Sequence, residues 1–156
     1  MICVASLGNI LCGDDGIGPE ILKELNEINF PVTVEMCDVG SNAFNLLDRL
    51  ISSDVLIIID CAQMGRSPGE VIKFNIDSVG LPVMEKLVSL HGFGFGEILA
   101  IARSLGRIAK CIVIGIEPKS IMFNSSLSQE IKNSIPQVIQ MVSEEITEYA
   151  EKNFNH

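Results

Sequence analysis

Three side chains stand where an α/β chain can do chemistry. Asp15 lies in the segment Gly8-Asn9-Ile10-Leu11-Cys12-Gly13-Asp14-Asp15-Gly16-Ile17-Gly18, directly after an apolar run. Asp60 ends the run Ile57-Ile58-Ile59, and His91 stands in Leu90-His91-Gly92, ahead of a helical pattern that starts near Phe95. Two carboxylates and an imidazole form an O,O,N set that suits a divalent cation and leaves coordination positions open. Each residue also has a plain structural reading: Asp15 as a charge favoured at a helix N-terminus, Asp60 as a loop cap, His91 as a packed histidine. For the three together, the structural and metal readings balance.

Other chemistries find less support. The glycines around Asp14 and Asp15 do not form G-x-G-x-x-G, and no lysine follows them as a phosphate-binding loop requires. Gly92, Gly94 and Gly96 have the wrong spacing for a dinucleotide, and they follow an apparently helical stretch, Val83 to Leu90. Neither G-x-S-x-G nor H-E-x-x-H occurs, so a serine triad and a zincin site lack their signatures. Cys61 with His91 imitates a thiol pair, but Cys61 adjoins an apolar strand and reads as packing.

The elements that must position these residues alternate. Apolar runs at Ile2 to Leu7, Val32 to Cys37, Val55 to Ile59 and Cys111 to Ile116 are short, rich in Ile and Val, and bounded by turn residues. Runs apolar on consecutive residues suit strands covered on both faces. Helical spacing links Ile17, Ile21, Leu22 and Leu25; Phe44, Leu47, Leu50 and Ile51; and Ile98, Leu99, Ala102 and Leu105. Strand and helix in repeated alternation predict a three-layer α/β/α domain over residues 1–156, with a mostly parallel five-stranded sheet and helices on both faces. The fifth strand, Glu70 to Phe74, follows the third after too short a return for a parallel crossover, so it is expected antiparallel at an edge. At the C-terminus a short helix is predicted from about Leu127, then a break at Ser134-Ile135-Pro136-Gln137, read as a fresh capping box, then a longer helix. In such sheets ligands bind beyond the carboxyl ends of the strands, where Asp15 and Asp60 fall.

Composition excludes further classes. Twenty acidic against 11 basic residues leave a net charge of -9, which repels phosphate backbones and anionic membranes, so neither nucleic acid nor a membrane is an expected partner. Five scattered cysteines without C-x-x-C point to a reducing compartment, and the chain reads as a soluble cytoplasmic monomer.

The first glycine-acid segment, the apolar strand ending in Asp60, the lone His91 before a helix, and Gly115-x-Glu117-Pro118 followed by Leu127-Ser128 resemble the nickel-iron hydrogenase maturation endopeptidases, in matching order along essentially the whole chain. The resemblance implies a metal-dependent protease that removes the C-terminal extension of a hydrogenase large-subunit precursor after nickel insertion. It implies nickel supplied by the substrate, with another divalent metal a candidate in the isolated protein. By position, the catalytic and metal-contacting residues it implies are Asp15, Asp60 and His91. Where the family has Asp-Gly-Gly-Thr this chain has Asp38-Val39-Gly40-Ser41, which assigns Asp38, Gly40 and Ser41 to substrate recognition. Asp38 has a second reading as a cap for the helix starting at Asn42. A non-catalytic module that senses or carries nickel would use the same trio, and a flavodoxin-like ligand-binding domain would share the fold.

Overall fold

A computed structural model describes residues 1–78 and 95–154. The strands are β1 (Ile2–Leu7), β2 (Val34–Asp38), β3 (Val55–Cys61), β4 (Val71–Asn75) and β5 (Lys110–Ile116). The helices described are α1 (Ile17–Asn26), α2 (Leu47–Ser52), α3 (Phe95–Leu105) and α4 (Gln129–Phe154), with 3-10 turns at Gly13–Gly16, Ala43–Leu46 and Ile76–Ser78. The sheet order is β2-β1-β3-β5-β4. β2, β1, β3 and β5 run parallel, and β4 pairs antiparallel with β5 at the edge, as the short return predicts.

Alternation along the strands builds two cores. Cys3 and Ala5 of β1, Leu56 and Ile58 of β3, and Cys111 and Val113 of β5 pack with Leu50 of α2 and Ile98, Leu99 and Ala102 of α3. The intervening residues Ile2, Val4, Ile57, Ile59, Ile112 and Ile114 pack with Ile21 and Leu25 of α1 and Val138, Val142 and Ile146 of α4. Covering on both faces explains why β1 and β3 are buried at every position.

The edge strand involves a detour. The chain leaves β3 and crosses the carboxyl end of β5 before entering β4: Ala62 N–H donates to the Ile116 carbonyl (2.9 Å), and Gly69 N–H to the Glu117 carbonyl (2.8 Å). β5, made later in the chain, therefore lies between β3 and β4.

The expected break at Pro136 does not occur. α4 is one helix of 26 residues with Pro136 inside it. Ser134 is no cap either; its hydroxyl donates to the Ile131 carbonyl within the helix (2.6 Å). The cap is Ser128, whose Oγ accepts from Ile131 N–H (3.3 Å). Proline withholds the hydrogen bond that the Lys132 carbonyl would receive, but both residues lie on the exposed side of the helix. The buried stripe from Ile131 through Val138, Val142 and Ile146 continues uninterrupted past it. Val83 to Leu90 falls outside the described residues.

All five cysteines are free, with Cys3, Cys61 and Cys111 buried and Cys12 and Cys37 partly exposed. Burial, aided by the nearby Glu35 charge, pushes the Cys3 thiol up to about 12. In a thiol titration of the native protein, Cys12 and Cys37 are expected to react and the other three to stay silent until denaturant is added. Pro136→Ala is expected to stabilise the fold. An interior helix proline costs about 3 kcal/mol, and its restriction of the unfolded chain offsets roughly 1 of these, so the urea midpoint should rise by an equivalent of about 2 kcal/mol.

Candidate active site

The loops that follow β1, β2, β3 and β5 meet at one end of the sheet. Gly8 begins the first. Its N–H donates to the Gly40 carbonyl (2.9 Å), and Val39 N–H donates to the Ser6 carbonyl (3.0 Å), so the loops after β1 and β2 are tied together. Gly8 has φ 152°, and a Cβ there would lie 2.1 Å from the Asp15 carbonyl oxygen. Only glycine lets the Asp15 turn approach this closely.

Asp15, 7% exposed, sits in the Gly13–Gly16 turn that packs against β3. Its Oδ2 accepts from Asn9 N–H (2.9 Å). Asp60, 2% exposed, is inside β3 rather than after it, with Leu7 of β1 and Gly115 of β5 as its ladder neighbours. Asp15, in a turn that packs against β3, and Asp60, near the end of β3, thus both lie at the carboxyl end of the sheet. Cys61 follows Asp60 at the end of β3. Burial above all, then the charges of Asp60, Asp15, Asp14 and Glu117, push this thiol far up. Cys61 is fully buried within β3, which gives it the packing role its position suggests.

Asp38 ends β2 on the surface. Its Oδ1 accepts from Ser6 Oγ (2.9 Å) and from Gly40 N–H (3.1 Å), an arrangement that shapes the Asp38-to-Ser41 turn. Asp38 is not the helix cap; Asn42 is, with its Oδ1 accepting from Phe44 N–H (3.0 Å). Gly40 takes φ 66° and Ser41 is exposed beside it. A surface cavity of about 500 Å³ adjoins the turn, bordered by Asp38, Phe44, Leu47 and Arg49.

The third expected ligand, His91, lies outside the described residues. Among the described residues no group of three or more His, Cys, Asp or Glu side chains is arranged to hold a metal ion. Asp15 and Asp60 are nevertheless buried carboxyl donors of the kind that a hard or borderline divalent cation takes up.

Linear reasoning missed two residues. Asp14, fully buried, accepts from Lys119 N–H (2.8 Å), Ser120 N–H (3.1 Å), Ser128 N–H (2.6 Å) and Ser128 Oγ (2.9 Å). Burial alone would raise its pKa, but the donors from Ser128, Ser120 and Lys119 together outweigh that and hold it below the ordinary 3.8. Glu117, also buried, accepts from Met64 N–H (2.6 Å) and pins the loop after β3. The cap serine before Gln129-Glu130-Ile131 was the one signal available for the Asp14 clamp. No spacing rule links it to a residue over a hundred positions away.

Comparison with known proteins agrees with this geometry. The sequence profile of a family described as hydrogenase maturation protease matches residues 19–145. The hydrogenase expression/formation protein HupD of Thiocapsa roseopersicina is 32% identical over 151 residues, covering 95% of this chain and 68% of that protein. Among solved structures, the hydrogenase maturating endopeptidase HybD from E. coli superposes with a TM-score of 0.84 at 26% identity, covering 95% of this chain and 93% of that one. The NiFe hydrogenase maturation protease HybD from Thermococcus kodakarensis gives 0.71 at 26% identity, covering 92% and 97%.

The clamp has a pH signature. A carboxylate whose folded pKa lies below its unfolded value stabilises the fold fully above the unfolded value of about 4, and that contribution is lost as pH falls through the folded pKa. Asp14→Asn should therefore be about 2 to 4 kcal/mol less stable than the parent at pH 7, with the difference shrinking below about pH 4 in urea titrations.

Proposed function

The chain belongs to the hydrogenase maturation protease family and is a peptidase, and from that premise we propose that it removes the C-terminal extension of a nickel-iron hydrogenase large-subunit precursor once nickel has been inserted. The observation that carries this reading is the pair of buried carboxylates, Asp15 in the turn after β1 and Asp60 near the end of β3, at the same end of the sheet. Nickel enters as part of the substrate. Asp15, Asp60 and His91 are the residues that would hold it, and a cation so held supplies Lewis acidity to a nearby carbonyl or water.

The chain's own contribution is preorganisation. Asn9 N–H fixes one oxygen of Asp15, and the ladders to β1 and β5 fix the backbone of Asp60. Burial strengthens the attraction between these carboxylates and a cation, because little water remains to screen it. A precursor without nickel brings no charge to offset the carboxylates and is rejected. Asp38, Gly40 and Ser41 lie in the turn after β2, tied through Gly8 to the loop that carries Asp15, and are assigned to the segment flanking the scissile bond. The protein is assigned to the cytoplasm and to action as a monomer, without nucleic acid or membrane. No helix among the described residues is long and apolar enough to cross a membrane.

The test incubates the protein with nickel-loaded and nickel-free precursor and follows the C-terminal peptide by mass. Cleavage is expected only of the loaded form. Asp15→Asn and Asp60→Asn should each slow it by about 100-fold or more. Cleavage at the parental rate by the double variant would overturn the assignment.

A further inference from the structure

Beside the candidate site lies a second feature with no role in the chemistry. Ile10 and Leu11 are 66% and 52% exposed, and Met122 and Phe123 are each 71% exposed. The two pairs come from distant parts of the chain but stand side by side. Asn124 N–H donates to the Leu11 carbonyl (2.7 Å), and a Cβ on Gly13 would lie 2.4 Å from Ser125 Oγ.

Both tips are held out rather than frayed. Leu11 N–H donates to Asn9 Oδ1 (2.9 Å), while Ser125 Oγ donates to the Met122 carbonyl (2.6 Å) and Asn124 takes φ 64° to close that turn. The Asp14 clamp secures both loops at their base. Fully burying one such side chain is worth about 1.5 to 3 kcal/mol, so four held in water beside one another are the mark of a surface that another molecule covers. Residues 8–13 and 120–129 carry no charged side chain, in a chain where 20% of residues are charged. The patch adjoins the site directly, since Asn9, which starts the first tip, also bonds Asp15.

We infer that Ile10, Leu11, Met122 and Phe123 form an apolar docking surface for the body of the precursor, next to the extension that is cut. This rests on the function proposed above. A folded protein whose tail reaches Asp15 and Asp60 must lie against the rim of the site, and the two tips give that rim an apolar, uncharged stretch. Docking of this kind depends little on salt, unlike an approach steered by the protein's acidic surface.

The experiment measures binding of nickel-loaded precursor by calorimetry, and cleavage separately, for the parent, for Ile10→Ser with Leu11→Ser, and for Met122→Ser with Phe123→Ser. Each pair should weaken binding about tenfold or more. The urea midpoint should hold, because the side chains are exposed, and parental affinity should change little between low and high salt. Variants that bind as tightly as the parent, or a precursor that does not bind the parent, would overturn the docking surface. So would a parental dimer in sedimentation that the Met122 and Phe123 changes dissolve without altering precursor affinity, since a second copy then covers the patch. Binding lost with the patch while the parent never cuts would support the surface and count against the cleavage reading instead.

Discussion

A charge with no water around it must be neutralised by donors, and Asp14 obtains its donors from the far end of the chain. Lys119, Ser120 and Ser128 all turn their N–H groups onto this one carboxylate. The loop after β1 and the connection from β5 to α4 consequently behave as one body. Asp15 is the next residue, so the position of a candidate ligand is inherited from a neighbour whose oxygens are taken up by the chain's own donors. Ser128 also caps α4, which makes the start of the longest helix depend on the same carboxylate.

The division of labour between adjacent aspartates shows why part of this site was legible in sequence and part was not. The alternation of Ile- and Val-rich runs with helical spacing led to the parallel sheet, its two covered faces and the antiparallel edge. Asp15 and Asp60 followed from the rule that chemistry gathers at strand ends. What periodicity cannot express is a contact between positions widely separated in sequence, so Asp14 looked like one more acid in a turn and Glu117 like part of a motif. Pro136 misled for a different reason. Its residue type and the apparent capping box around it pointed to a break, whereas Lys132 and Pro136 lie on the exposed side and a buried stripe continues past them.

The acidic excess likewise separates into parts with different physics. Around Cys61, burial and four carboxylates raise the thiol pKa, a field that favours a positive ligand and disfavours a thiolate. Elsewhere an acid is simply balanced: buried Glu145 on α4 meets Lys73 of β4 at 2.6 Å and Lys110 of β5 at 3.7 Å, fastening the edge of the sheet to the last helix. Net charge alone does not distinguish these environments; burial and partners do.

The separation bridged by the Asp14 clamp, 105 to 114 residues, also bears on the order in which the molecule forms. Closing so long a loop costs chain entropy that is recovered only once the intervening sheet is in place, so these bonds belong to the late stages of folding. During synthesis the Asp14 and Asp15 turn emerges long before its partners do. The clamp thus couples placement of the candidate ligand to completion of the chain, and a nascent or partly folded molecule has no assembled site with which to cut anything.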